Sequence, residues 1–201
     1  MVDPIPHLEA LRRSPLAQLT DALAAGSGEA VALAEEPFLT MVSVRVEPSS
    51  AAAGRIGQVL GFELPQRCGE VAAVGHHAAL WLSPDEWLVV STAAPAALAD
   101  QLAAALGADR GQVVDVSANR TTLALTGERA REVLEKGCPA DLHPRAFGPG
   151  SAVTTTLARI PVLLWQTGPA EYRILPRSSF ADYVARWLLD AMREWAGAQA
   201  R

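Results

Sequence analysis

Cys138 and His143 come nearer than other residues of this chain to a nucleophilic pair. A thiol becomes an activated nucleophile when an imidazole lies within hydrogen-bond reach and a third group orients that imidazole. Pro139 and Pro144 bracket the segment and predict a rigid loop, in which residues 141–142 can start one helical turn. We favour this structural interpretation over a catalytic one.

Asp85 and Glu86 stand side by side, as candidates for an acid/base pair. On an extended segment adjacent side chains point to opposite faces, so these two cooperate only where a turn brings them together. Ser83 and Pro84 precede them, and this composition is typical of a turn. We interpret Asp85 as a turn or capping residue that joins two strands.

His76 and His77 are candidate metal ligands, but they are adjacent at a predicted hairpin turn without a further ligand set nearby in the sequence. Exposed turn residues are the favoured interpretation. Cys68 and Cys138 are far apart and show no Cys-x-x-Cys spacing, so they predict neither a zinc site nor a redox pair. We expect two ordinary thiols that stay reduced.

Arg120 stands at a predicted strand start, shortly after Asp115. Two interpretations stay open for it: an ion pair with Asp115, or contact with a carboxylate of a partner. The segment Gly148-Pro149-Gly150 has a proline where a phosphate cradle would need free amides and has no following lysine. The sequence therefore does not support dinucleotide or nucleoside triphosphate binding.

Composition limits the class of protein. The chain has 201 residues, of which 50% are hydrophobic and 19% charged, as is typical of a globular protein. Its formal net charge is −5 and its cations are scattered, so we expect no nucleic-acid partner. The sequence has no apolar run near the roughly 20 residues of a spanning helix and no recognisable secretory leader. We therefore expect a cytoplasmic protein with no membrane partner.

The hydrophobic pattern predicts a repeated order of elements that would position these residues. It predicts strands over 38–46, 71–75, 79–82, 87–91, 113–116, 121–125, 153–157, 162–165 and 172–175, and helices over 51–60, 94–106, 128–136 and 180–195. Residues 1–36 are predicted to form an N-terminal arm with one short helix, ahead of β-α-β-like halves over 37–116 and 117–201. The predicted fold class is α+β, with two tightly fused split β-α-β-like halves whose antiparallel or mixed sheets are covered by helices.

Tryptophan is frequent for a chain so poor in other aromatic residues. The chain has 5 tryptophans, and some of them must lie in the core. Tryptophan is also a favoured anchor at protein interfaces. Trp81 and Trp195 are the candidates for burial against another subunit.

Three segments resemble the gamma subunit of heterotetrameric sarcosine oxidase. The first is Leu80-Trp81-Leu82-Ser83-Pro84-Asp85-Glu86-Trp87-Leu88; the second runs from Asp115-Val116-Ser117 through Arg120, Gly127 and Gly137-Cys138-Pro139-Ala140-Asp141-Leu142-His143-Pro144 to Phe147; the third is Arg177-Ser178-Ser179-Phe180-Ala181-Asp182-Tyr183 with Trp187-Leu188 and Asp190-Ala191. The Gly-Cys-Pro-x-Asp-Leu-His-Pro run is the most specific part of this resemblance.

The Asp-Val-Ser strand, followed by Gly-x-x-Ala and a helix, is also similar to the opening of the folate-binding aminomethyltransferases, and it implies their fold. The stretch that corresponds to their acidic folate-contacting hairpin is 158–164, which carries no Asp or Glu here. A pterin ring is commonly held by a carboxylate that accepts paired hydrogen bonds, and Val or Leu cannot accept any. A free-standing folate-binding aminomethyltransferase stays the alternative, beside a lone folate-sensing binding module.

The resemblance to the gamma subunit implies a non-catalytic accessory subunit, with no catalytic, cofactor-binding or metal-binding residue of its own. In that family the complex oxidatively demethylates sarcosine to glycine, with hydrogen peroxide as a product and methylenetetrahydrofolate when tetrahydrofolate is present. FAD, FMN, NAD and tetrahydrofolate are expected in the alpha and beta subunits, and zinc in delta. The expected partners are therefore alpha, beta and delta subunits.

Overall fold

The computed structural model describes residues 11–92 and 95–196, apart from the side chains of residues 95, 96 and 196. Within these ranges the strands are β1 (Ala32–Glu36), β2 (Thr40–Val46), β3 (Val71–Val74), β4 (His77–Ser83), β5 (Glu86–Ser91), β6 (Gly111–Asp115), β7 (Thr122–Thr126), β8 (Ser151–Leu157), β9 (Ile160–Gly168) and β10 (Glu171–Pro176). The helices are α1 (Thr20–Ala25), α2 (Ala51–Leu60), α3 (Pro95–Leu106), α4 (Ala130–Glu135) and α5 (Ala181–Ala196).

The strands form two five-stranded sheets. The first sheet has the order β3-β4-β5-β2-β6, and the second has the order β1-β7-β10-β9-β8. All neighbouring strands in both sheets run antiparallel. The predicted α+β class is confirmed, and both sheets are antiparallel rather than mixed.

Local sequence signals explain the helices that cover the first sheet. The Ser50 hydroxyl accepts a hydrogen bond from the amide of Ala53 at 3.2 Å and caps the start of α2. Gly61 ends that helix with a φ of +84°, a conformation that glycine adopts without steric cost. In α3 the predicted stripe of Leu98, Leu102 and Leu106 is buried. The predicted opening at Ala94 lies outside the described residues.

The two sheets follow one plan, which the N-terminal segment completes. In each sheet three consecutive strands (β3 to β5, or β8 to β10) lie beside an earlier strand, β2 or β7. The free side of β2 pairs with β6, whereas the free side of β7 pairs with β1. β1 therefore takes in the second sheet the place that β6 takes in the first. The sequence pattern predicts only a short helix in the arm and misses this strand; the division at residues 36 and 116 stays a prediction.

Among residues 11–92 and 95–196, three apolar clusters hold four layers together. The second sheet shares one cluster with α1, α4 and α5, and the first sheet shares another with α2 and α3. The third cluster joins the inner faces of the two sheets and includes Met41, Leu80, Val90, Leu163 and Leu175. The sheets also meet at one edge, where the amide of Ala152 donates to the Gly69 carbonyl at 3.0 Å. The layers are therefore helices, second sheet, first sheet, helices.

Candidate functional site

Cys138 and His143 do not form a nucleophilic pair. Cys138 is buried beneath the second sheet's helices, and its Sγ lies 3.8 Å from the hydroxyl of Thr155. His143 is exposed, and its Nδ1 accepts a hydrogen bond from the amide of Arg145 at 3.3 Å. The carboxylate of Asp141 accepts from the His143 amide at 3.0 Å, which makes this stretch a turn. These hydrogen bonds fix the backbone of the loop and do not orient the imidazole of His143 towards Cys138.

Asp85 lies in the turn between β4 and β5, as the sequence predicts. Its carboxylate accepts a hydrogen bond from the Ser83 hydroxyl at 3.0 Å and pairs with Arg45 at 3.3 Å. The Ser83 hydroxyl is the main cause that lowers the pKa of Asp85, and the charge of Arg45 acts in the same direction. A carboxylate whose ionised form is favoured in this way is a turn acceptor, not a proton donor near neutral pH.

His76 and His77 lie at the hairpin between β3 and β4. The Nδ1 atom of His76 is 2.9 Å from the Thr92 hydroxyl, and that of His77 is 2.9 Å from the Ser91 hydroxyl. Across residues 11–92 and 95–196 no three His, Cys, Asp or Glu side chains are grouped as metal ligands. The two histidines tie the hairpin turn to the end of β5.

Arg120 does not pair with Asp115. The carboxylate of Asp115 accepts from the hydroxyl of Ser117 at 2.6 Å and from its amide at 2.8 Å. Arg120 instead donates through Nη1 to the carbonyl of Leu175 at 2.8 Å and bridges antiparallel to Arg177 through the backbone. Of the two interpretations that the sequence left open, the ion pair with Asp115 is wrong.

Arg120 lines a pocket that sequence reasoning missed. The pocket has a volume of about 260 Å³ and takes residues from four separated segments of the chain. Its lining includes Arg12 and Arg13 from the N-terminal segment, Phe38 from the turn between β1 and β2, Arg120, and Ser178 from the start of the last helical region. The Arg12-Arg13 pair was the available signal, but nothing local in the sequence links it to residue 120.

A larger cleft lies along α2 and has a volume of about 620 Å³. Its floor is formed by small residues of the helix, including Gly54 and Gly57, and its wall by the following segment around Phe62. A Cβ atom at Gly57 would lie 2.8 Å from the Phe62 carbonyl oxygen, so the close approach of this segment requires glycine. The cleft is thus a consequence of how the chain folds back on α2.

The tryptophans contribute mainly to the chain's own packing. Trp87 is fully buried, and its indole N–H donates to the Pro65 carbonyl at 2.8 Å. Trp81 and Trp195 are half-buried against the cores of their respective halves, and the ammonium of Lys136 lies 4.3 Å from the Trp195 ring centroid. Part of each of the two indoles stays accessible, so their role at an interface stays a prediction.

The hairpin that corresponds to the folate-contacting segment of aminomethyltransferases joins β8 and β9. Its two turn residues, Ala158 and Arg159, both have positive φ angles of 49° and 74°. This is the turn geometry that matches the twist of a two-residue hairpin.

In the described ranges, no helix has the length and apolar character to cross a membrane.

Comparisons with known proteins agree with this architecture. A model of the sarcosine oxidase gamma subunit family matches residues 44–194. The sarcosine oxidase gamma subunit of Arthrobacter sp. is 51% identical over 188 residues, which cover 92% of each chain. The gamma subunit of Corynebacterium sp. strain U-96 is 50% identical over 193 residues, with 94% of each chain covered.

Two solved structures contain the same fold. A chain of the heterotetrameric sarcosine oxidase from Corynebacterium sp. U-96, solved with pyrrole 2-carboxylate, superposes with a TM-score of 0.89 at 49% identity, covering 95% of this chain and 100% of that one. Aminomethyltransferase T of the glycine cleavage system from Bartonella henselae superposes with a TM-score of 0.66 at 16% identity, over 89% of this chain and 57% of that one. The second likeness shows a shared fold alone. The first, together with the family model and the curated relatives, shows that the chain belongs to the sarcosine oxidase gamma subunit family.

Proposed function

We propose that this chain is the accessory gamma subunit of a heterotetrameric sarcosine oxidase and takes no direct part in the chemical step. One observation carries the proposal. The likeness to a chain of the heterotetrameric enzyme covers 95% of this chain and 100% of that one, with 49% identity and a TM-score of 0.89. A match that spans the whole of that chain supports the same place in the same kind of complex.

The complex would oxidatively demethylate sarcosine to glycine, producing hydrogen peroxide and, with tetrahydrofolate, 5,10-methylenetetrahydrofolate. In this proposal FAD, FMN, NAD, tetrahydrofolate and zinc belong to the partner chains, which are alpha, beta and delta subunits. A cytoplasmic location fits the thiols of Cys68 and Cys138, both of which are free.

The candidate reactive side chains of this chain contact neighbouring residues of the fold, and these contacts support an accessory role. Cys138 packs in the core of the second sheet, and Asp85 accepts bonds within its turn. His76 and His77 hold the hairpin to β5. Each of these groups stabilises the fold through a neighbour.

Co-expression tests the proposal. The tagged chain is produced together with alpha, beta and delta chains, and the purified material is weighed by native mass spectrometry and assayed for sarcosine-dependent hydrogen peroxide. We expect one complex with one copy of each chain, which turns over sarcosine, and we expect the isolated chain to be inactive. Turnover by the isolated chain, or its failure to co-purify with any partner, contradicts the proposal.

A second experiment tests the alternative of a free-standing folate-binding protein. The isolated chain is titrated with tetrahydrofolate by calorimetry, with the complete complex as the positive control. We expect heat of binding only from the complex. Tight binding by the isolated chain would instead support a folate-binding protein that acts alone.

A further inference from the structure

The pocket at Arg120 is lined by three arginines, Arg12, Arg13 and Arg120. Within residues 11–92 and 95–196, no carboxylate forms an ion pair with Arg12, Arg13, Arg120 or Arg177. The whole chain has a formal net charge of −5, so this local excess of cations runs against the average of the molecule. Because each arginine presents several N–H donors in a planar fork, this surface matches the oxygens of a carboxylate or a phosphate group.

Two carboxylates near the pocket accept hydrogen bonds from hydroxyls that line it, Glu35 from Thr121 and Asp115 from Ser117. Glu35 accepts a hydrogen bond from the Ser14 hydroxyl at 2.5 Å and another from Thr121 at 2.7 Å. Asp115 accepts both of its bonds from Ser117. Neither of these two carboxylates lies within ion-pair distance of Arg12, Arg13 or Arg120, so the guanidinium groups keep donors for an added acidic group.

One backbone contact holds the side chain of Arg120 in place. One of its nitrogens donates to the Leu175 carbonyl at 2.8 Å, which fixes the direction of the side chain and leaves further donors unused. Burial, and then the charge of Arg177, lowers the pKa of Arg120. A cation whose surroundings disfavour its charge gains more from a neighbouring carboxylate than a freely solvated one does.

Phe38 adds an apolar surface beside the arginines. Its φ angle is +62°, a conformation that a bulky residue adopts only when neighbouring structure holds it there. The ring is nevertheless 40% exposed, and the guanidinium of Arg12 lies 4.3 Å from its centroid. Aromatic residues and arginines are enriched at the centres of protein interfaces, where lysine is depleted.

We propose that this pocket is a docking site for an acidic segment of a partner subunit. A partner carboxylate binds the guanidinium groups of Arg120 and of the Arg12–Arg13 pair, while the rest of the segment packs on Phe38. The proposal rests on the proposed function and deepens it, because it names the surface and the chemistry by which this chain joins its complex.

Competitive assembly tests this docking site. Wild-type chain and a tagged variant are co-expressed with a limiting amount of partner chains, and the ratio of the two in the purified complex is measured by mass spectrometry. The variants are Arg12→Gln/Arg13→Gln, at exposed positions, and separately Arg120→Gln. We expect each to be under-represented about tenfold or more, because a docked charge pair loses one partner.

Arg67→Gln/Arg145→Gln is the matched control. Both residues are exposed and lie outside the pocket, so this variant removes the same charge as the double variant. We expect it to enter the complex as well as wild type. Circular dichroism and thermal unfolding of each isolated variant identify any that fails to fold. If Arg120→Gln fails to fold, the incorporation of Arg12→Gln/Arg13→Gln alone tests the docking site.

A cross-link identifies the acidic partner directly. Lys136 is the single lysine of the sequence, so Arg13→Lys introduces one new amine at the pocket. A zero-length carbodiimide, which joins amines to carboxylates, is expected to link residue 13 to an Asp- or Glu-containing peptide of a partner chain in the assembled complex. Equal incorporation of the pocket variants and wild type would falsify the docking site, whether or not such a link forms.

Two further arms separate this inference from its rivals. Asp3 and Glu9 are the acidic residues of positions 1–10, ahead of Arg12 in the sequence. Asp3→Asn/Glu9→Gln is expected to assemble fully; if it reproduces the loss, the carboxylate comes from this chain and the proposal is overturned. If inorganic phosphate binds the isolated chain through Arg120 while the pocket variants assemble normally, the pocket is a small-anion site instead. Failure of wild-type chain to enter any complex contradicts the proposed function, whereas normal entry of every variant contradicts only the docking site.

Discussion

The hydroxyl of Thr121 donates a hydrogen bond to Oε1 of Glu35 at 2.7 Å, between residues 86 positions apart. Glu35 lies on β1 and Thr121 directly precedes β7, so this bond fastens the N-terminal segment to the second sheet. The other carboxylate oxygen accepts from Ser14, which ties the start of the segment to the same point. The segment is thus part of the fold of the second sheet.

Thr121→Val should lower the free energy of unfolding by about 1–3 kcal/mol, because it leaves a half-buried carboxylate oxygen without its donor. Thr121 is 4% exposed, so water reaches the site poorly. Urea unfolding followed by circular dichroism measures the change. Thr154→Val, at an exposed position of β8, is the control and should stay within about 0.5 kcal/mol of wild type. Equal behaviour of the two variants would show that the bond contributes nothing.

Leu33→Ala should destabilise the chain by about 2–5 kcal/mol, because Leu33 is 2% exposed and sits in the cluster beneath α5. The control is Leu11→Ala, which removes the same atoms from a side chain that is 72% exposed. Thermal unfolding compares the two. A small effect at Leu33 would mean that β1 is attached loosely rather than being a full member of the second sheet.

The elements with strong local signals could be predicted from the sequence. The cap at Ser50, the glycine at Gly61 and the leucine spacing of α3 are each contained within one short window. The strand β1 has no comparable signal, because its sequence is Ala-Leu-Ala-Glu-Glu, and alanine and glutamate are depleted in strands. It forms because β7 offers a partner edge and because Arg173 pairs with Glu36 at 2.7 Å.

The arginine pocket could not be predicted for a related reason. Its residues come from segments separated by up to 166 positions between Arg12 and Ser178, and only the fold brings them together. For Arg120 the sequence leaves two interpretations open, an ion pair with Asp115 or contact with a carboxylate of a partner. The structure was needed to show that Asp115 is occupied by Ser117 and that the charge acting on Arg120 comes from another arginine, Arg177.

Gly127→Ala should destabilise the chain by more than about 1 kcal/mol, because Gly127 has a φ of +113° and a Cβ there would collide with the Ala30 carbonyl oxygen. The collision would push the N-terminal segment away from the end of β7. Gly28→Ala is the matched control, since a Cβ at that glycine meets nothing within 4 Å. Hydrogen exchange should show faster exchange of β1 amides in Gly127→Ala alone; unchanged β1 protection would contradict this account.

The turn at Asp85 should make a pH-dependent contribution to stability. The pKa of Asp85 in the folded chain lies below its ordinary value of 3.8, chiefly because the Ser83 hydroxyl donates to the ionised carboxylate and also because Arg45 faces it. A depressed folded pKa means that the ionised form stabilises the fold: the contribution is complete above the unfolded value and is lost as the pH falls through the folded one. Wild type should therefore be more stable than Asp85→Asn at pH 7, and the two should converge in strong acid.

Repeating the comparison in a Ser83→Ala background isolates the cause of this dependence. Removing the main donor brings the folded pKa of Asp85 closer to its ordinary value, so the stability lost through Asp85→Asn at pH 7 should shrink. Added salt should reduce only the part that comes from Arg45, since that pair is exposed to solvent. A loss that keeps its full size without the Ser83 hydroxyl would assign the effect to Arg45 instead, and high salt would then abolish it.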